Sequence, residues 1–151
     1  MLIRPGTPRD AEAVAHVHLE SWDAAYGIEG PSLERRVQLH RKLLPHVAEI
    51  DGEIVGFVSV GPAHDEDADG ELYMIYALPE HWGRGVGPAL IEAGEEHLRE
   101  LGHETAVLWV LETNARARRF YEIAGWAPDG HERPIEIRGM SLLEIRYTKQ
   151  L

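Results

Sequence analysis

The stretch His81-Trp82-Gly83-Arg84-Gly85-Val86-Gly87-Pro88-Ala89-Leu90 constrains this chain more than any other. Three alternating glycines follow the apolar run 72–78 and precede a run with helical spacing. That order predicts a strand, a tight turn and a helix start. Pro88 suits the first turn of a helix, where its missing N–H has no partner to lose. Small residues ahead of a helix let backbone N–H groups converge on one point beside the positive end of the helix dipole. Such a point holds an anion, a phosphate above all. Two familiar glycine patterns do not fit. A P-loop needs Gly-Lys-Ser/Thr after its glycines, and none follows. Gly-x-Gly-x-x-Gly fails in both frames, closing on Pro88 from Gly83 and on Leu90 from Gly85. The glycines alone also fit an ordinary strand–helix connection.

The rest of the chain narrows the choice. Its 151 residues suit one domain, 1–151, large enough for a proper core. Apolar residues at 44% and charged residues at 27% match a soluble globular protein. No cysteine is present, which excludes a disulfide framework, a thiolate nucleophile and a Cys-based metal site. No signal peptide or membrane span is legible, so a cytoplasmic protein with no membrane partner is expected. A net charge of −11 argues against a nucleic-acid partner. An anionic ligand then needs local help, which the glycine turn and Arg84 offer.

Residues 1–4 read as a strand. Thr7-Pro8-Arg9-Asp10 reads as a helix start, with Val14, Val17, Ser21 and Ala25 (or Ala24) at helical spacing and an end near Gly27. A second helix opens at Pro31-Ser32, with Leu33, Val37, Leu43 and Leu44 as its apolar side and Pro45 as its stop. Asp51-Gly52 joins strands 47–50 and 54–60 as a hairpin. A polar loop, 61–70, leads to strand 71–78. Helix 88–101 carries Leu90, Ile91, Gly94, Leu98 and Leu101 on one side and stops at Gly102. Strand 106–111, helix 114–124 and strands 131–137 and 141–147 complete the chain. The order β, α, α, β, β, β, α, β, α, β, β predicts a mixed α/β sheet with helices on both faces.

Two stretches now carry a family likeness. Ala77-Leu78-Pro79-Glu80-His81-Trp82-Gly83-Arg84-Gly85-Val86-Gly87 resembles the pyrophosphate-binding motif of the Gcn5-related N-acetyltransferase (GNAT) superfamily. Leu111-Glu112-Thr113-Asn114-Ala115-Arg116-Ala117-Arg118-Arg119-Phe120-Tyr121-Glu122-Ile123-Ala124-Gly125-Trp126 resembles its second signature. The likeness covers nearly the whole chain and points to bacterial acetyltransferases of small amines or protein amines. It departs at Trp82, where the family carries Gln or Arg. The resemblance implies a mostly antiparallel sheet of about six to seven strands with a splayed central pair, flanked by about four helices.

It also implies acetyl-CoA as cosubstrate, with no metal. Gly83, Arg84, Gly85, Val86, Gly87 and Pro88 would hold the pyrophosphate, and the backbone of Ile75, Tyr76 and Ala77 would pair with the pantetheine amides. Asn114, itself a good N-cap, would contact the pantetheine arm, and Arg116 or Arg119 would reach the phosphates. The acetyl group would pass directly to a primary amine in a ternary complex.

Tyr121 matches the family's donor to the departing thiolate, and it also suits simple packing of its helix. For the base, the place where some relatives carry Glu holds Trp109. Glu71 is the substitute, either as base or as a solvated strand-end carboxylate. Trp22 and Tyr26 fit acceptor selection, and Trp22 equally fits the core. The closing strand 141–147 is a candidate for pairing across a homodimer. A catalytically silent acyl-CoA-binding module is the alternative function, and transfer of a longer acyl group a third.

Asp65, Asp67, Asp69 and Gly70 match the first half of a calcium loop. Its twelfth place, however, is Tyr76 where a bidentate Glu is required, so a solvated acidic loop is expected. The nine histidines are scattered and show no metal-binding spacing.

Overall fold

The computed structural model describes residues 1–26 and 30–151, apart from the side chains of Ala25 and Tyr26. The described elements are β1 (Leu2–Pro5), α1 (Ala11–Tyr26), α2 (Leu33–Leu43), β2 (His46–Ile50), β3 (Glu53–Pro62), β4 (Gly70–Ala77), α3 (Val86–Glu100), β5 (Thr105–Leu111), α4 (Ala115–Ile123), β6 (Ala127–Ile137) and β7 (Met140–Gln150). The seven strands follow the order β1-β2-β3-β4-β5-β7-β6. The β1–β2, β2–β3, β5–β7 and β6–β7 pairs are antiparallel and β4–β5 is parallel. This is the mixed α/β architecture that the element order predicts, mostly antiparallel as the family resemblance implies.

The chain forms two compact units: Met1–Val60 with Met74–His97, and Gly61–Tyr73 with Leu98–Leu151. In the first, Val14 and Val17 of α1 pack with Val47 and Phe57 of the β2–β3 hairpin, and Ile54, Met74, Tyr76 and Leu78 close around them. Asp51 and Gly52 both take positive φ, 52° and 80°, the conformation of the two-residue hairpin turn that an Asp-Gly pair favours. The entry to α1 is a 3₁₀ turn, Pro8–Asp10, in place of a continuous helix from Thr7. There the Asp10 carboxylate accepts from the Thr7 N–H at 2.8 Å and from Arg4. These hydrogen bonds, Arg4 first, hold its pKa down at about 2. The expected helix end at Gly27 lies outside the described residues.

Helix α2 turns its expected face inward, with Leu33, Val37 and Leu43 half-buried. Ser32 caps it, accepting from the Arg35 N–H at 3.3 Å, but the buried residues are Arg36 and His40. Leu44, expected inward, is exposed and left-handed at φ 45°. Aliphatic spacing located the face but not its most buried positions, because Arg36 and His40 on the same stripe carry polar groups.

In the second unit β7 lies between β5 and β6, and from Glu144 to Thr148 its neighbours occupy both edges. Over that stretch its ladder groups are used within the chain, so the expected pairing of strand 141–147 with a second copy does not run through Glu144–Tyr147. Leu98, Ala106, Leu108, Trp126 and Tyr147 are among the most buried residues of this unit. Leu101 follows α3 and is half exposed, not part of its buried side. No helix among the described residues is long and apolar enough to cross a membrane.

Candidate active site

The glycine turn is built as its residues demand. Gly83 and Gly85 have φ of 75° and 86°, and a Cβ added at either meets nothing within 4 Å. Their requirement is therefore conformational, because side-chain-bearing residues rarely adopt that region. Helix α3 starts at Val86, two residues earlier than expected, and the Ala89 N–H makes a bond of its first turn to the Gly85 carbonyl at 3.2 Å. Pro88 consequently stands third in the helix. The first four N–H groups of a helix have no partner inside it, so proline there still removes no bond. Gly83, Arg84 and Gly85 are exposed. The turn and first helical residues thus offer main-chain donors and one guanidinium at the positive end of a 15-residue helix.

The end of β4 departs from expectation. The Leu78 N–H donates to the Val55 carbonyl at 2.8 Å. Successive residues of an antiparallel strand turn their main-chain groups to alternate sides. By that alternation the groups of Tyr76 turn toward β3 and those of Ile75 and Ala77 away from it, which favours Ile75 and Ala77 among the three residues expected to make backbone contacts. The Ala77 carbonyl in turn accepts from the Ser21 hydroxyl at 3.1 Å and from the Trp82 indole N–H at 2.9 Å. A carbonyl has two lone pairs, and both are engaged. The Trp82 that breaks the family pattern thus caps the strand end. Sequence spacing placed Ser21 on the inner face of α1. Its hydroxyl tying α1 to β4 was not legible, because the partner is a main-chain atom 56 residues away.

The second unit holds the other expected residues. Asn114 caps α4, its side-chain oxygen accepting from the Ala117 N–H at 3.2 Å. That leaves its amide –NH2 directed elsewhere. Arg116 is exposed on the first turn, where burial draws its guanidinium slightly down while leaving it cationic. Tyr121 is the buried residue of α4, its ring 6.3 Å from that of Tyr147. Its packing role is therefore present. Glu71 pairs in register with Val107 of β5 and is only 8% exposed. It accepts from the His64 N–H at 3.1 Å, and the His64 ring nitrogen Nδ1 lies 3.4 Å away. The description of Glu71 as a solvated strand-end group is thereby corrected: it is a buried carboxylate.

The acidic loop is not simply solvated either. Arg146, 4% exposed, donates to Asp67 through both terminal nitrogens at 2.8 and 2.7 Å, to Asp129 at 2.7 Å and to Asp65 at 3.3 Å. The bond from Arg146 brings the Asp67 pKa to about 2, and Asp67 in turn raises that of Arg146. Trp109 donates to Asp65 at 3.0 Å, and the Arg133 guanidinium lies 4.1 Å from the Trp109 ring centre. The residue standing where relatives carry Glu is thus part of this clamp. Among the described residues no group of three or more His, Asp or Glu is placed to hold a metal.

Near Trp22 the first unit buries a polar cluster that sequence spacing did not reveal. His18 Nδ1 lies 3.1 Å from His40 Nε2, and the His18 ring stacks on Tyr76 at 5.1 Å. The Arg36 guanidinium lies 5.6 Å from the Trp22 ring centre. Burial, with the Arg36 charge added, draws the pKa of His18 to about 3 and that of His40 to about 4. Both rings are therefore neutral at physiological pH. Trp22 is half-buried, and the Tyr26 side chain lies outside the described residues.

Comparison with known proteins agrees with the architecture. The model of the acetyltransferase (GNAT) family matches residues 11–126. The uncharacterized N-acetyltransferase YuaI of Bacillus subtilis is 31% identical over 95% of this chain and 89% of its own length. An uncharacterized N-acetyltransferase of Archaeoglobus fulgidus is 44% identical over 50% of this chain, which there spans only 54% of the relative. Among solved structures, ribosomal-protein-alanine N-acetyltransferase of Brucella melitensis superposes with a TM-score of 0.83 at 24% identity over 100% of both chains. YncA of Salmonella typhimurium, solved with its cofactor acetyl-CoA, gives 0.78 at 20% identity over 99% of this chain and 93% of its own. The chain belongs to the acetyltransferase (GNAT) family.

Proposed function

We propose that this protein transfers the acetyl group of acetyl-CoA to a primary amine by direct attack of the neutral amine on the thioester. The observation that carries the reading is the pair of positive-φ glycines, 83 and 85, opening onto the first turn of α3. Family membership and the acetyl-CoA in the YncA structure support the choice of ligand. In this reading Gly83, Arg84, Gly85, Val86, Gly87 and Pro88 form the diphosphate cradle, and Arg116 adds charge at the phosphates. The pantetheine arm hydrogen-bonds to the main chain of Ile75 and Ala77, the latter once the Trp82 indole releases the carbonyl, and to the Asn114 amide.

A primary amine with a pKa of ~10 must lose a proton before it attacks. Glu71 takes that proton, directly or through water, and Tyr121 returns one to the leaving thiolate. Trp22 and Tyr26 border the acceptor.

The test is thiol release from acetyl-CoA across a panel of primary amines, with CoA affinity measured in parallel. The reading expects turnover, and expects Tyr121→Phe to lower kcat at least tenfold while leaving CoA affinity within about twofold. CoA binding without turnover of any amine would favour the silent binding module.

A further inference from the structure

Arg36 is 1% exposed, and its three side-chain nitrogens, Nε, Nη1 and Nη2, have no hydrogen-bond partner among the described residues. A buried guanidinium in that state is costly, because it has lost its water and gained nothing in exchange. The neighbouring His40, also 1% exposed, leaves Nδ1 unpartnered as well. Its other nitrogen faces His18 at 3.1 Å. If His18 donates there, His40 accepts at Nε2 and must carry its own proton on Nδ1. The cluster then presents five guanidinium N–H donors and one imidazole N–H, with no acceptor opposite them among the described residues. Asp23 acts on Arg36 only through charge attraction, without a hydrogen bond.

The surroundings favour a flat, anionic partner. The guanidinium is a planar fork that matches both oxygens of a carboxylate. The Trp22 indole borders it, and Tyr76 of β4 lies beyond the His18 ring. A Cβ at Gly30 would fall 2.5 Å from Arg36 Nη2 and 2.8 Å from Trp22 Nε1, so bare main chain borders the fork and the indole at that point. These groups adjoin Trp22, the residue assigned to the acceptor.

We propose that Arg36, with His40, is the specificity site for a carboxylate on the acceptor, so that the amine acetylated belongs to a free amino acid. The inference rests on the acetyl-transfer reading and names the acceptor within it. An amino acid is a zwitterion without net charge, so a protein of net charge −11 does not repel it as it would a simple anion.

The experiment compares L-leucine with L-leucinamide and isopentylamine, which lack the carboxylate but keep the amine and the apolar chain. Wild-type protein is expected to favour leucine at least tenfold in kcat/KM. Arg36→Met should raise KM for leucine at least tenfold and leave kcat/KM for isopentylamine within about twofold. Arg36→Lys, which keeps the charge but not the fork, should fall between and guards against a folding defect in the first variant. Equal use of leucine and leucinamide, or a preference that survives Arg36→Met, would overturn the proposal and point to a peptide or simple amine as acceptor.

A second arm needs no turnover: calorimetric titration with N-acetyl-L-leucine against N-isopentylacetamide. Binding of the acid that is lost in Arg36→Met supports the carboxylate site even if no amine is acetylated, in which case only the acetyl-transfer reading fails. No binding of the acid to wild-type protein overturns the site.

Discussion

Arg146 and Arg36 are both almost wholly removed from water, at 4% and 1% exposure, yet their environments are opposite. Arg146 meets Asp67, Asp129 and Asp65, and Asp67 above all pushes its pKa up. Arg36 meets no acceptor, and burial pulls its pKa down. The first arrangement is complete within the second unit and ties loop 65–69 to β6 and β7. The second is incomplete within the first unit. A buried charge whose partners come from its own chain is a structural clamp. One that lacks them costs stability, and the carboxylate site proposed above is what would complete the set.

The largest expected effect sharpens this contrast. Arg146→Met strands three carboxylates around a vanished cation and should cost about 3 kcal/mol, somewhat relieved by the half-exposed Asp67. Urea unfolding at neutral pH reads it as a lower midpoint at constant slope. A loss under about 1 kcal/mol would mean that water already serves those carboxylates.

Acid should separate the two regions next. His18 and His40 have folded pKa values of about 3 and 4, below the unfolded value of ~6.5. The unfolded chain binds more protons in that interval, so stability is full above pH ~6.5 and declines as pH falls toward the folded values. The protons would enter beside the Arg36 charge. The carboxylates Asp10 and Asp67, held at about 2, contribute stability above pH ~4 that is lost only as pH falls through about 2. Urea midpoints measured from pH 7 to pH 3 should therefore fall in two stages. Replacing both histidines by phenylalanine should flatten the stage between pH 6.5 and 4. An unchanged slope would contradict their burial as neutral rings.

The smallest expected effect is the most diagnostic. Arg36→Met replaces an unpaired buried charge by an apolar chain of similar length, which is neutral or stabilising by about 1 kcal/mol. A loss comparable to that of Arg146→Met would erase the distinction between the two arginines.

What the sequence disclosed follows the same division. Features written in backbone demands were legible: Asp51-Gly52 and the alternating glycines admit few conformations, and both turns form where expected. The strand and helix order followed from hydrophobic runs. So did the inward face of α2, but not the deep burial of Arg36 and His40 on it, because polar residues give no apolar periodicity. The Arg146 clamp was hidden by separations of 79 and 81 residues to Asp67 and Asp65, which no local pattern records. Trp82 was legible only as a departure. Its bond to the Ala77 carbonyl explains what an indole does where relatives place a longer polar side chain.

The central claim is that main-chain donors held open by Gly83 and Gly85 grip the diphosphate of coenzyme A. Titration calorimetry of CoA into wild-type protein and Gly85→Ala tests it most directly. Alanine at φ 86° costs about 1–2 kcal/mol in that conformation and points a methyl group into open space, so it perturbs the turn alone. The account predicts tight binding to the wild type and an affinity at least tenfold lower in the variant, with the fold intact by circular dichroism. Equal affinities in the two proteins would contradict it.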